Sequence, residues 1–216
     1  MNLRPGRTRI KFCGITTPAE AALAAEAGAD AIGVILAESP RRVEATALPE
    51  LAAAVPPFIT KVGVLAGAAE GEAARLRALG FVLQFSGSES PALCERTSAG
   101  ATYIKAFHVR RGISYDAADF APLEEYAHAL WMFDAKPDER LGGSGTTFMW
   151  DIVEPLARRR RVIIAGGLTP ENVGACVRAV RPFAVDVRSG IETGDAKDPE
   201  KMRAFVRAVR EADAQA

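Results

Sequence analysis

Short apolar runs rich in β-branched residues recur along the chain, at Arg9–Gly14, Ala31–Leu36, Ile59–Leu65, Phe81–Phe85, Tyr103–Phe107, Leu130–Asp134, Val162–Ala165 and Ala184–Val187. Hydrophobic positions within each run are nearly continuous rather than alternating, which is the pattern of parallel strands buried on both faces. Between the runs lie Ala-, Leu-, Arg- and Glu-rich stretches with helical spacing, at Ala19–Ala27, Glu70–Leu79, Trp150–Arg158 and Pro199–Val209. The segment between Phe107 and Leu130 is the least regular, and one helix is expected there.

Punctuation residues sharpen the boundaries. Thr17-Pro18-Ala19-Glu20 reads as a capping box with proline at the first helical position. Ser90-Pro91, Thr169-Pro170 and Asp198-Pro199 repeat the cap-then-proline start. Gly28 and Gly80 stand where helices should stop ahead of the next strand. Eight strands alternating with helices specify either a (β/α)8 barrel or a doubly wound sheet. Eight units in 216 residues favour the barrel, as a single α/β domain over residues 1–216. In that architecture chemistry sits at the carboxyl ends of the strands and in the loops that follow, with phosphate bound after strands seven and eight.

Composition narrows the function classes. Apolar residues make up 49% of the chain, enough for a substantial core. Lys+Arg and Asp+Glu both total 27, and this balance argues against general nucleic-acid binding, which needs surplus basic charge. A local anion site remains open, because backbone N–H groups bind phosphate without altering net charge. Cys13, Cys94 and Cys176 are far apart and form no CxxC or Cys/His cluster, so no metal site is expected. Free thiols fit a reducing cytoplasm. Met1–Arg9 carries three arginines without the apolar core of a secretory signal, and no apolar run is long enough to span a bilayer. The expectation is a cytoplasmic protein without a membrane partner.

The strand ends supply the candidate chemistry. Strand one ends in Lys11-Phe12-Cys13-Gly14-Ile15-Thr16. A cysteine there serves either as a base or nucleophile, made more anionic by nearby cations, or as a small apolar core residue. Strand six ends in Asp134, a carboxyl that burial could keep protonated as a general acid, or that caps a loop or pairs with a cation. Glycine-rich turns follow: Gly142-Gly143-Ser144-Gly145 after strand six and Gly166-Gly167 after strand seven. Asp186-Val187-Arg188-Ser189-Gly190 closes strand eight. Such turns let backbone N–H groups approach a phosphate closely. Arg41, in Ser39-Pro40-Arg41-Arg42 after strand two, offers a planar fork for a carboxylate or phosphate, or is one of an exposed basic pair. Arg158 to Arg161 reads as a solvated charge cluster at a helix end. His108 and His128 match no ligand or triad spacing and are expected to be structural or at the surface.

Taken in order, these motifs resemble the phosphoribosylanthranilate isomerase family along nearly the whole chain. The family's Lys-x-Cys-Gly-x-Thr stands at Lys11–Thr16, its Gly-Ala-Asp-Ala-x-Gly at Gly28–Gly33 and its Ser-x-Arg at Ser39–Arg41. Val62-Gly63-Val64, the strand ending in Asp134, Gly142–Gly145 and Gly166-Gly167-Leu168 follow in sequence. Pro170-Glu171-Asn172-Val173, Asp186-Val187-x-Ser189-Gly190-x-Glu192 and Lys197-Asp198 complete the series. The resemblance implies the Amadori rearrangement of N-(5-phosphoribosyl)anthranilate in tryptophan biosynthesis, without a metal or organic cofactor. It implies Asp134 as general acid, Cys13 as general base and Arg41 as the holder of the anthranilate carboxylate. Gly143, Ser144, Gly145, Gly166, Gly167, Ser189 and Gly190 would cradle the phosphate, with Arg188 beside them and Asp186 near the sugar. Partners would be this small phosphorylated substrate and other tryptophan-pathway enzymes. The chain departs from the family at Ser86 (usually His), at Arg188 (usually Ser), at Met149 (usually Asp) and at Leu65-Ala66 (commonly Phe and Asn). These changes keep a second reading open, a paralogue isomerising another phosphorylated aminosugar or ketose. A third is a non-catalytic barrel that binds a phosphometabolite.

Overall fold

The computed structural model describes residues 6–67, 70–109, 118–135 and 147–215. Eight strands, β1 (Arg9–Cys13), β2 (Ala31–Ile35), β3 (Thr60–Leu65), β4 (Val82–Phe85), β5 (Tyr103–Val109), β6 (Ala129–Ala135), β7 (Val162–Ala165) and β8 (Ala184–Val187), form a closed barrel in chain order. The helices between and after them are α1 (Pro18–Ala27), α2 (Leu48–Ala54), α3 (Glu70–Ala78), α4 (Pro91–Ser98), α5 (Thr147–Ala157), α6 (Val173–Val180) and α7 (Pro199–Ala214). Two short strands, β9 (Glu192–Thr193) and β10 (Ala196–Lys197), pair antiparallel ahead of α7. The architecture is therefore the (β/α)8 barrel and not the doubly wound sheet. Between β5 and β6 the expected helix is a 3-10 segment, Ala118–Glu125, with Pro122 inside it. Proline there has no N–H to donate and its ring blocks regular α-helical pairing.

Contacts divide the chain into two compact units. One comprises Ile10–Ala106 and Glu125–Leu130. In it the α1 start follows the sequence signal, with the Thr17 hydroxyl accepting from the Glu20 N–H at 3.2 Å, and Gly28 ending the helix at φ 97°. Only half of the capping box forms. The Glu20 carboxylate accepts from Thr16 N at 2.7 Å and Thr16 Oγ1 at 2.9 Å, one residue before the cap. Ser90 caps α4 through Leu93 N at 3.3 Å. Val34 and Ile35 of β2 and Val64 and Leu65 of β3, successive residues on opposite faces, are all buried, as strands covered on both faces require.

The other unit comprises Met1–Arg9, Phe107–Glu124 and Trp131–Ala216. Phe107 packs on Trp131 and Phe133 with ring centroids 6.3 and 6.0 Å apart, and Phe120 of the 3-10 segment meets Phe133 edge-on at 5.7 Å. The arginine cluster is exposed as expected at Arg158, Arg159 and Arg161, while Arg160 is half-buried. Arg160 lies 4.9 Å over the Trp131 ring and Arg161 5.4 Å over Phe183, where the aromatic faces attract the guanidinium charge. The Thr169-Pro170 start is also displaced. Thr169 N donates to Asn172 Oδ1 at 2.9 Å and Glu171 N to Thr169 Oγ1 at 3.3 Å, so a side-chain-closed turn precedes α6 at Val173. Asp198 caps α7 through Glu200 N and Lys201 N, as its position suggests.

The far end of α7 ties back to the chain just before β1. The Asp213 carboxylate accepts from Thr8 N at 2.9 Å and Thr8 Oγ1 at 2.7 Å, while Arg210 donates to Thr8 O at 2.7 Å. Thr8 is only 2% exposed, so these groups have little access to water. Replacing Asp213 by alanine strands two buried donors and is expected to cost about 1–3 kcal/mol. Asp213→Asn, which keeps one acceptor, should lose less. Urea denaturation midpoints of the two variants check the ranking.

Candidate active site

The pleat of β1 places Lys11 and Cys13 on the same face. Cys13 is 6% exposed and packs in an apolar cluster with Ile35 and Val64. Its neighbour across the ladder is Gly33 on β2, and the missing side chain there is what makes room for it. A Cβ on Gly33 would stand 2.9 Å from Cys13 Sγ and 2.9 Å from Lys11 Nζ. The thiol and the buried ammonium are therefore no more than twice that distance apart. The thiolate is the form of a cysteine that acts as a base or nucleophile, and a neighbouring cation is one of the groups that can favour it. Lys11 received no role of its own from the sequence. The signal was present in its spacing of two from Cys13, which in a strand means one face.

Arg41 is held from two sides. Its Nε donates to Gly14 O at 2.9 Å, and its guanidinium pairs with the Glu20 carboxylate. The two side chains are largely buried, so the exposed-loop alternative for this arginine does not hold. Burial works against ionising Glu20, but the hydrogen bonds from Arg41 and Thr16 outweigh it and hold its carboxyl below the ordinary range. A similar arrangement follows β4. Lys105 donates to Gly87 O at 2.6 Å and to Glu89 Oε2 at 2.9 Å, with Glu89 also accepting from Gly67 N and Gly87 N. Ser86, in the same loop, accepts from Gln84 Nε2 at 3.1 Å.

In the other unit Asp134 is the penultimate residue of β6, opposite Ala165 of β7, with 35% of its side chain exposed. Gly166 follows at φ 85°, and a Cβ there would lie 2.7 Å from Asp134 Oδ1 and inside contact distance of the Ala135 backbone. Only glycine satisfies both demands. On the other side His108 Nδ1 lies 3.7 Å from Asp134 Oδ2. This histidine is exposed, in keeping with the expected surface placement. Its neighbour became visible only when β5 was set beside Asp134. His128 does behave as expected, pairing at the surface with Glu95 at 2.8 Å.

The loops after β7 and β8 are shaped by residues downstream of them. Asn172 Nδ2 donates to Gly167 O at 2.9 Å. Lys197 donates to Arg188 O at 3.1 Å and to Glu192 Oε1 at 2.7 Å. A Cβ on Gly190 would collide with Leu168 O, so the two loops abut through bare backbone. Asp186 is 8% exposed at the end of β8, while Arg188 and Ser189 are exposed. Gly143, Ser144 and Gly145 lie outside the described residues, and Met149 is placed only as part of α5. Among the described residues no three His, Cys, Asp or Glu side chains converge as a metal site, and no helix is long and apolar enough to cross a membrane.

Comparison with known proteins gives a consistent result. Residues 10–208 match the profile of the family described as N-(5'-phosphoribosyl)anthranilate (PRA) isomerase. An N-(5'-phosphoribosyl)anthranilate isomerase of Moorella thermoacetica is 41% identical over 95% of this chain and 91% of its own. The crystal structure of phosphoribosyl anthranilate isomerase from Thermotoga maritima superposes with a TM-score of 0.82 and 32% identity, covering 94% of this chain and 99% of that one. A second crystal structure of such an isomerase, in complex with reduced 1-(o-carboxyphenylamino)-1-deoxyribulose 5-phosphate, gives 0.80 and 28% with the same coverage.

The Glu20 network has a pH signature. A carboxyl whose folded-state pKa is lowered contributes stability that is fully present above its ordinary value of 4.5 and is lost as pH falls through the folded value. Glu20→Gln should therefore destabilise the protein at neutral pH, with the difference from the parent shrinking below pH 4.5. Urea midpoints at neutral pH and at about pH 3 measure it, and a pH-independent difference would contradict the assignment.

Proposed function

This chain belongs to the N-(5'-phosphoribosyl)anthranilate isomerase family, and we propose that it converts N-(5-phosphoribosyl)anthranilate to 1-(2-carboxyphenylamino)-1-deoxyribulose 5-phosphate. The observation that carries the mechanism is Cys13 beside the Lys11 ammonium at the end of β1. Asp134 donates a proton to the furanose ring oxygen as the nitrogen lone pair opens the C1–O bond, leaving a protonated Schiff base. The Cys13 thiolate then removes the C2 proton, and the released electron pair forms the enolamine. Protonation at C1 and loss of the hydroxyl proton at O2 give the ketone. Protons and electron pairs move but no electrons enter or leave, so the sequence of steps calls for no redox cofactor.

The remaining assignments follow the chemistry of the substrate. Arg41 presents its fork to the anthranilate carboxylate, an acceptor for which a bidentate guanidinium is suited. The turns at Gly166–Gly167 and Ser189–Gly190, with Gly143, Ser144 and Gly145, hold the phosphate. Arg188 adds positive charge there, and Asp186 bears on the sugar. Phosphate bound after the last two strands is the habit of this barrel class. The whole of residues 1–216 acts as one (β/α)8 domain in the cytoplasm, within tryptophan biosynthesis.

Loss of phosphoribosylanthranilate fluorescence, with the labile substrate generated in situ, tests the reading directly. Cys13→Ser and Asp134→Asn should each lower kcat by ~10²–10⁴-fold, the usual worth of a positioned acid or base. Full activity in both variants would remove the mechanism. Ser86 and Arg188 favour a second reading, in which another phosphorylated aminosugar or ketose is the substrate. A well-folded chain that fails to rescue a tryptophan auxotroph lacking this isomerase would favour it.

A further inference from the structure

Asp134 is bracketed. Its Oδ1 faces the bare backbone of Gly166, and its Oδ2 faces the imidazole of His108, 3.7 Å away at Nδ1. The two side chains come from the carboxyl ends of neighbouring strands in the chain order, β5 and β6. Each is about one-third exposed, at 34% and 35%, so both retain access to water while facing one another.

A general acid works only if its carboxyl group is aimed. On a short side chain one torsion swings the two oxygens, and a proton delivered from the wrong direction is worth little. Gly166, having no Cβ, leaves that swing room on one side, where a Cβ would stand 2.7 Å from Oδ1. His108 is placed to limit it on the other, as a nitrogen that can donate to the carboxylate or accept from the acid. At 3.7 Å the contact is longer than a direct hydrogen bond, and such contacts between reacting groups commonly tighten when substrate binds. Phe107, the residue before His108, is anchored on Trp131 and Phe133. The aromatic packing therefore sets the register of the imidazole against the β6 carboxyl.

We propose that His108 is a positioning residue for Asp134, holding Oδ2 so that the acid is aimed at the substrate ring oxygen. The inference rests on the reading of Asp134 as the acid of the isomerase reaction. It gives His108 a role expressed in kcat and exerted only through Asp134.

Two measurements test it. The chain holds only two histidines, so ¹⁵N-histidine spectra resolve them easily. In Asp134→Asn the His108 ring signals should move while those of His128, paired with Glu95, stay put. Unmoved His108 signals would show that the contact does not exist in solution and would overturn the proposal without touching the isomerase reading. In kinetics, His108→Ala should lower kcat about 10-fold, a fraction of the ~10²–10⁴-fold loss of the acid itself, with KM changed less than about 2-fold. His108→Asn, which keeps a polar nitrogen or oxygen near the same place, should recover most of the rate. In the Asp134→Asn background His108→Ala should have no further effect, the non-additivity expected of residues acting as a unit. Unchanged kcat in His108→Ala, or an undiminished effect without the acid, overturns the proposal. A parent protein that turns over no phosphoribosylanthranilate removes the isomerase reading and this inference together.

Discussion

Three loops at the carboxyl ends of strands are held by the same interaction, a largely buried cation that donates to a loop carbonyl and pairs with a carboxylate. Arg41 grips Gly14 O and Glu20 after β1. Lys105 grips Gly87 O and Glu89 after β4. Lys197 grips Arg188 O and Glu192 after β8. A strand end in this fold leaves carbonyls without a ladder partner, and a buried unpaired polar group is costly. A buried ion pair adds little net stability by itself, since desolvation consumes much of the Coulombic gain. Its value lies in geometry, because a cation with two fixed acceptors has one place to be and so does the loop it holds.

That fixing is what the chemistry requires. A proton transfer depends on heavy atoms being within hydrogen-bond reach at the right angle, and loops left to themselves do not supply such precision. Arg41, proposed above to meet a substrate carboxylate, is already bound to the carbonyl one residue after Cys13. Close approach of bare backbone does the same work where no side chain fits. Gly33 admits Lys11 and Cys13 together, and Gly166 lies against Asp134.

Much of this was legible in the residues. The eight strands fall where continuous apolar runs place them, and Thr17, Ser90 and Asp198 cap their helices as local chemistry dictates. Departures have identifiable causes. Pro122 turns an expected helix into a 3-10 segment, and Asn172 closes a turn that delays α6. Glu20, read as the second half of a capping box, is drawn away by Thr16 and by Arg41, twenty-one positions later in the chain. Pro122, Asn172 and Thr16 act within a few residues, where one local rule overrides another; only Arg41 was concealed by sequence distance.

The sequence by itself determined the alternation of strands and helices, the residues that close each strand, and the ordered motifs from Lys11 to Asp198 that mark the family. These depend on periodicity and on chemistry within a few residues, which one chain displays in full. Only the tertiary structure decided which of those residues meet. The pairing of Arg41 with Glu20 and the placing of His108 against Asp134 join segments from different strands and helices. Contact between distant segments depends on register and packing. Neither is written into the local pattern, and so a histidine that looked incidental acquired a neighbour only in three dimensions.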